Sequence, residues 1–123
     1  MDEKQRAQIM AEQNDTFRQW WMEREGEPEV PGRALLTEGV QALLLDEAKE
    51  TQELLNLIAA PCDFGEDNDP WGERDFGAFD FCGERLFWKI DLFTDDAMIR
   101  GSEEPTNLEK TYRVMTIMLS SEY

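Results

Sequence analysis

The sequence predicts a small α+β domain, a short antiparallel sheet of one β-hairpin and one further strand, packed by helices and preceded by an N-terminal helix. Three observations predict it. Apolar residues recur at helical spacing over 43–60. They alternate with polar residues over "RLFWKIDLF", 85–93. The run "FGAFDF", 76–81, is separated from that alternating run only by "CGE". A length of 123 residues suits one domain, and 41% hydrophobic with 11% aromatic residues supplies a modest core.

Residues 2–24 read as a helix, with Ile9, Met10, Phe17, Trp20 and Trp21 gathered toward one side. "EGEPEVPG", 25–32, breaks it with prolines and glycines, so 1–25 can be an appendage to an α+β domain at 33–123. The Trp20–Trp21 pair is expected to pack on that domain, with partner binding as the minority reading. "RALLTEGV", 33–40, reads as a short strand or the start of a helix. In the helix 43–60, Leu44, Ala48, Leu55 and Ile58 form the core stripe, with Leu45 and Leu54 beside it and Glu47, Lys49, Glu50 and Glu53 facing water. Pro61 ends it.

A loop, 62–75, follows. The hairpin comes next, and a Cys82-Gly83 turn sets Asp80 opposite Arg85 and Phe79 opposite Leu86, whereas a Gly83-Glu84 turn shifts that register. "TDDAMIRGSEEP", 94–105, reads as a polar connection. Thr106 and Glu109 match a capping box, which predicts a helix from 107 nearly to the end with Leu108, Tyr112, Met115, Met118 and Leu119 on its buried side. Phe76, Phe79, Phe81 and Trp88 read as core.

Charge bounds the function. Twelve basic residues stand against 28 acidic ones, a net charge of −16. Such a chain repels nucleic acid and anionic membranes and attracts basic protein surfaces, with on-rates that fall as salt rises. Its simplest use is solubility. No apolar run approaches the roughly 18 residues of a membrane span, and the charged N-terminus lacks the apolar core of a signal peptide. A cytoplasmic location is therefore expected, with Cys62 and Cys82 as reduced thiols. With no histidine, the chain has no Ser-His-Asp or Cys-His machinery and no histidine metal ligand.

The densest chemistry is "CDFGEDNDPWGERDFGAFDF", 62–81. Asp67, Asp69 and Gly72 start like a calcium loop, but Trp71 and Ala78 occupy ligand positions and a strand follows where a helix is needed. A metal-dependent hydrolase using Asp67, Asp69, Glu73 and Asp75 has its carboxylates, yet a chain this short leaves little room for a cleft. No metal site and no cofactor are expected, and no direct nucleic-acid binding, since the Lys and Arg residues form no patch. An acidic surface that imitates the phosphate density of a duplex remains, able to occupy the basic groove of a nucleic-acid-handling enzyme. The partner-binding residues on this reading are Asp63, Glu66, Asp67, Asp69, Trp71, Glu73, Asp75 and Asp80, with Asp91, Asp95 and Asp96 as rim charges. Trp71 is read as an anchor, and the loop carboxylates as solvated charges whose neutralisation leaves the fold intact.

At "EDNDPWGERDFGAFDF", "RLFWKIDLF" and "EKTYRVMTIMLSSEY" the chain resembles a family of small bacterial proteins filed under a domain of unknown function and frequent on plasmids and other mobile elements. The likeness runs from about Arg33 to Tyr123 and departs at "LFTDD", Leu92–Asp96, where the family continues with an aromatic acidic segment. The resemblance transfers no catalytic residues. It implies a setting in which small acidic proteins act against restriction or CRISPR nucleases. The expected function is thus a non-enzymatic anti-restriction or anti-CRISPR inhibitor. An accessory module of a plasmid-maintenance system is the second reading, and the small hydrolase the third.

Overall fold

A computed structural model describes residues 2–44, 47–60, 69 and 72–123, without the side chains of 47 and 48. The fold is α+β. Helix α1 spans Glu3–Glu23, followed by strand β1, Gly32–Leu36, the short helix α2, Glu38–Gln41, and helix α3, Glu47–Ala59. Strands β2, Phe76–Phe81, β3, Glu84–Phe93, and β4, Tyr112–Leu119, follow, and a 3-10 turn over Ser120–Glu122 comes last.

Local chemistry sets the helix ends. The Asp2 carboxylate accepts the Gln5 N–H at 2.8 Å while the Gln5 side chain accepts the Asp2 N–H at 3.2 Å, a reciprocal cap for α1. Arg24, at φ 57°, closes it in the left-handed region and donates its N–H to the Trp20 carbonyl at 2.9 Å.

The sheet has the order β1-β4-β3-β2. The hairpin pairs β2 with β3 antiparallel, with Asp80 opposite Arg85 and Phe79 opposite Leu86, as the Cys82-Gly83 turn requires. Cys82 and Gly83 have φ of 52° and 76°, the positive values that a two-residue turn of the primed type needs to match strand twist. Gly77 lies opposite Trp88, and a Cβ there would come within 2.3 Å of the indole, so the ring packs directly on backbone.

Two expectations are corrected. The segment after 107 is not a helix. It is β4, a central strand antiparallel to β3 and parallel to β1, which makes the sheet mixed and four-stranded instead of a hairpin plus one strand. Buried residues run along it consecutively, Arg113, Val114 and Met115, then Ile117 and Met118. A strand covered on both faces loses the period-two signal, and its apolar positions then also fit a helical stripe. Its Tyr, Val, Thr and Ile content favours the strand. The Thr106–Glu109 pair caps nothing; Asn107 accepts the Glu109 N–H at 3.1 Å in a turn of its own. The second correction is Phe76. Paired with Lys89, it sits on the sheet face opposite Trp88, where its ring meets Phe87 and Tyr123. Phe81 and Trp88 are buried, and Phe79 packs against the core.

The core lies between the other sheet face and the helices: Phe17 of α1, Leu54, Leu55 and Ile58 of α3, and Leu86, Trp88, Ile90, Met115 and Ile117 of the sheet. Helix α1 is packed into the domain, burying Met10, Ala11, Asn14, Phe17 and Arg18. Trp21 packs partly against the core and stacks edge-on with Phe17 and Trp20. Among the described residues no helix is long and apolar enough to cross a membrane.

Candidate functional site

The acidic stretch runs from the C-terminus of α3 to β2. Asp63, Glu66, Asp67 and Trp71 lie outside the described residues. At its start, the buried Arg18 guanidinium donates to the carbonyls of Ile58 and Ala60 at 2.6 and 2.7 Å. A cation placed on the last carbonyls of α3 satisfies groups with no intrahelical donor and complements the helix dipole. Arg18 also lies over the Trp88 ring, 4.9 Å from its centroid.

At its end, α1 holds the chain again. Asp15 accepts a hydrogen bond from Arg74 and one from Arg18, the latter at 3.1 Å. Asn14 donates its side-chain amide to the Glu73 carbonyl at 2.9 Å and accepts from Arg113 Nε at 2.8 Å. Arg113 Nη2 reaches Gln13 at 2.9 Å, and Gln13 in turn donates to the Thr106 carbonyl at 2.9 Å. Arg113 is fully buried, and burial lowers its pKa to about 10, which still leaves it protonated at neutral pH. Thus Asn14, Asp15 and Arg18, one polar stripe of α1, fix both ends of the acidic stretch. Sequence reasoning missed them, although a polar stripe beside Phe17 in an otherwise apolar helix face, and an arginine inside "YRVMTIML", were both signals.

Four of the eight expected site residues are described. Asp69, expected as a solvated charge, is only 8% exposed. Its two carboxylate oxygens accept the Arg74 N–H at 3.1 and 3.2 Å, and its carbonyl accepts the Gly72 N–H at 3.1 Å. The chain reverses here through positive φ at Gly72 and Arg74, 69° and 54°, and the carboxylate satisfies the donor that the reversal turns inward. Asp69 is therefore a turn-forming residue.

Glu73 and Asp75 are half-buried beside it. Desolvation raises the Glu73 pKa, Asp75 and Asp69 add to the rise, and Arg6 opposes it. Desolvation likewise raises that of Asp75, its backbone hydrogen bond opposes, and Asp69 and Asp91 add to it. The structure therefore brings Asp69, Glu73 and Asp75 into one electrostatic group. Asp80 is apart from them, exposed on the hairpin and 3.3 Å from Arg85. Of the rim residues, Asp91 pairs with Lys89 at 3.3 Å, Asp95 accepts the Ala97 N–H at 3.0 Å, and Asp96 is exposed.

Beside the turn, an open hollow of about 570 Å³ lies between the first turns of α1 and 72–74, with Lys4, Arg6 and Arg74 facing Glu3 and Glu73. Its charges are mixed, and Arg74 is held by Asp15. Among the described residues no three His, Cys, Asp or Glu side chains gather where they could hold a metal ion.

Residues 36–122 match the profile of a family described as "Protein of unknown function (DUF3768)". The match spans more than half of the chain, which belongs to that family. No curated protein and no solved structure matches it.

Proposed function

We propose that this member of the DUF3768 family is a non-enzymatic acidic protein that docks on a basic surface of a nucleic-acid-handling enzyme and inhibits it, a restriction or CRISPR nuclease being the class that fits. The observation that supports this is the placement of charge. A net charge of −16 is spread over exposed carboxylates, among them Glu3 and Glu12 on α1, Glu53 on α3 and Glu84 at the hairpin. Such a distribution creates a negative field over much of the surface, which steers basic partners and repels nucleic acid.

The acidic stretch is the densest part of that field. It is also the one pinned at both ends, by Arg18 on the carbonyls of Ile58 and Ala60 and by Asp15 on Arg74. Asp63, Glu66, Asp67, Glu73 and Asp75 supply the charge on this reading and Trp71 the apolar anchor, while the Asp69 carboxylate is taken up by the Arg74 N–H.

DNA cleavage by restriction endonucleases and CRISPR effector complexes, read with and without the chain, tests the proposal. The wild type is expected to inhibit stoichiometrically. The variant Asp63→Asn/Asp67→Asn/Glu73→Gln is expected to keep its far-ultraviolet spectrum and lose inhibition. Inhibition of none of the nucleases, or equal inhibition by the variant, overturns it.

A further inference from the structure

We infer that the free edge of β2, with the flank of α3 that runs beside it, is a docking site for an extended basic segment of a partner protein, which adds to the sheet as a further strand. β2 is an outermost strand of the order β1-β4-β3-β2. In an antiparallel pair, alternate residues turn both N–H and C=O toward the neighbouring strand. The Ile90 N–H donates to the Asp75 carbonyl at 2.8 Å, which sets the phase. Gly77, Phe79 and Phe81 therefore bond toward β3, and Phe76, Ala78 and Asp80 hold their N–H and C=O groups outward. Among the described residues none bonds to these outward groups.

Sheet edges are commonly blunted by lysine, proline or a bulge. β2, "FGAFDF", has neither residue, and its pairing with β3 is unbroken from Phe76 to Phe81. Ala78 is half-buried and Asp80 is exposed, so solvent reaches the middle of the strand and its turn end. The opposite edge, β1, follows Pro31 and carries Arg33.

Helix α3 supplies a wall. Two contacts give its direction. Near its end, the Ile58 carbonyl accepts from the Arg18 guanidinium, which lies over Trp88, the residue opposite Gly77. Near its start, Glu50 accepts from the Cys82 thiol at 3.9 Å. The helix therefore runs antiparallel to β2. Gln52 faces α1 instead, donating to the Met22 carbonyl at 2.7 Å and accepting from Arg24 at 2.9 Å. Glu50, Glu53 and Leu57, spaced by three and four, share the flank on the β2 side. Glu53 is exposed, and Leu57 is 41% exposed.

The chemistry of this edge selects the occupant. Backbone groups held in strand register recognise an extended chain through its own main chain, and the side chains beside them set its sequence. Glu50 and Glu53 both act on the Cys82 thiol, and Asp80 and Glu84 flank the same turn, so carboxylates outnumber Arg85 there. Lysine or arginine on the added strand is favoured, with Leu57 as an apolar contact. A second copy laying its own β2 here would bring the same carboxylates face to face. The inference does not rest on inhibition of a nuclease, since any partner that carries such a segment fits, and the acidic stretch takes no part in it.

The probe is a fluorescein-labelled peptide of about eight alternating lysine and valine residues, titrated into the full chain by fluorescence anisotropy, with amide exchange followed by nuclear magnetic resonance. In the free chain the amides of Phe76, Ala78 and Asp80 are expected to exchange at least about tenfold faster than those of Gly77, Phe79 and Phe81. Saturating peptide is expected to slow them about tenfold or more. Ala78→Pro removes an outward N–H, leaves the ladder to β3 in place, and is expected to weaken binding about tenfold or more. Glu50→Lys/Glu53→Lys is expected to do the same, and keeps the test valid should circular dichroism show Ala78→Pro unfolded. Asp63→Asn/Asp67→Asn/Glu73→Gln is expected to bind the peptide as the wild type does, so failure here and failure of the proposed function are told apart. Of two peptides N-methylated at alternate residues in opposite phases, one is expected to bind as the parent and the other about tenfold or more weakly, because one set of amides faces the edge. Outward amides already protected in the free chain, no saturable binding by about 1 mM peptide, or methylated peptides that bind alike overturn the inference. So does binding lost with the acidic-stretch variant. Slowing of the same amides by protein concentration alone also overturns it, and gives the edge to a second copy.

Discussion

Asp69→Ala removes the two oxygens that accept the Arg74 N–H at 3.1 and 3.2 Å. A buried donor left without a partner costs about 1–3 kcal/mol. This hydrogen bond is part-buried, so water can replace some of it, and a loss of about 1–2 kcal/mol is expected. One term runs the other way. Asp69 raises the pKa of both Glu73 and Asp75, so removing its charge relieves repulsion inside the group. Asp69→Asn separates the two effects, because it keeps an acceptor oxygen and loses the charge. It is expected to lie within about 0.5 kcal/mol of the wild type. Urea denaturation followed by far-ultraviolet circular dichroism gives the stabilities, and native-state exchange of the Arg74 amide reports the hydrogen bond itself. If Asp69→Ala matches the wild type in stability and in Arg74 exchange, the carboxylate is solvated and the turn argument is wrong. Asp69 would then return to the residues available to a partner.

Met115→Ala empties a fully buried site on the central strand and is expected to cost about 2–5 kcal/mol in the same denaturation assay. Gly77→Ala places a methyl within 2.3 Å of the Trp88 indole and should cost at least about 1–3 kcal/mol, seen as a lowered thermal midpoint. Thr106→Ala should change stability by less than about 0.5 kcal/mol, since its hydroxyl caps no helix here. For pH, Glu73 and Asp75 bind protons more tightly in the folded state than in the unfolded chain. Stability from these two is lowest above their raised folded pKa values and recovers as pH falls toward the unfolded carboxylate range near about 4. Glu122 does the reverse: Thr37 Oγ and the Leu119 N–H hold its pKa down, so its contribution fades as pH falls through that lowered value. The wild type should therefore gain stability on acidification relative to Glu73→Gln/Asp75→Asn, measured by urea titrations at about pH 7 and about pH 5.

The hairpin and its register were legible because a two-residue turn and a half-buried β3 each leave a short-range signature. α1 and α3 were legible because apolar residues recur along both at helical spacing. β4 was not. Burial on both faces erased its alternation, and the pairing with β1 that makes it central joins residues about eighty positions apart, such as Ala34 and Met115. The burial of Met115 was read correctly from the wrong element, since a position can be apolar for either geometry. At the site, composition located the acidic stretch but could not separate structural from free carboxylates. Asp69 differs from Glu73 only in what the backbone does around it, and that depends on left-handed residues at Gly72 and Arg74. The side chains that pin the stretch, Asn14, Asp15 and Arg18, lie some 40 to 60 positions away in sequence from the groups they hold.

The proposed docking on a basic surface is tested most directly by the salt and DNA response of whatever the chain retains. The immobilised chain would be challenged with nuclease-treated bacterial lysate at about 0.05 M salt, then washed with about 0.5 M salt or with duplex DNA. The account predicts a basic nucleic-acid enzyme that is held at low salt, released by the high-salt wash, displaced by DNA, and not held by Asp63→Asn/Asp67→Asn/Glu73→Gln. Retention that survives high salt and DNA alike, or that the variant matches, contradicts it.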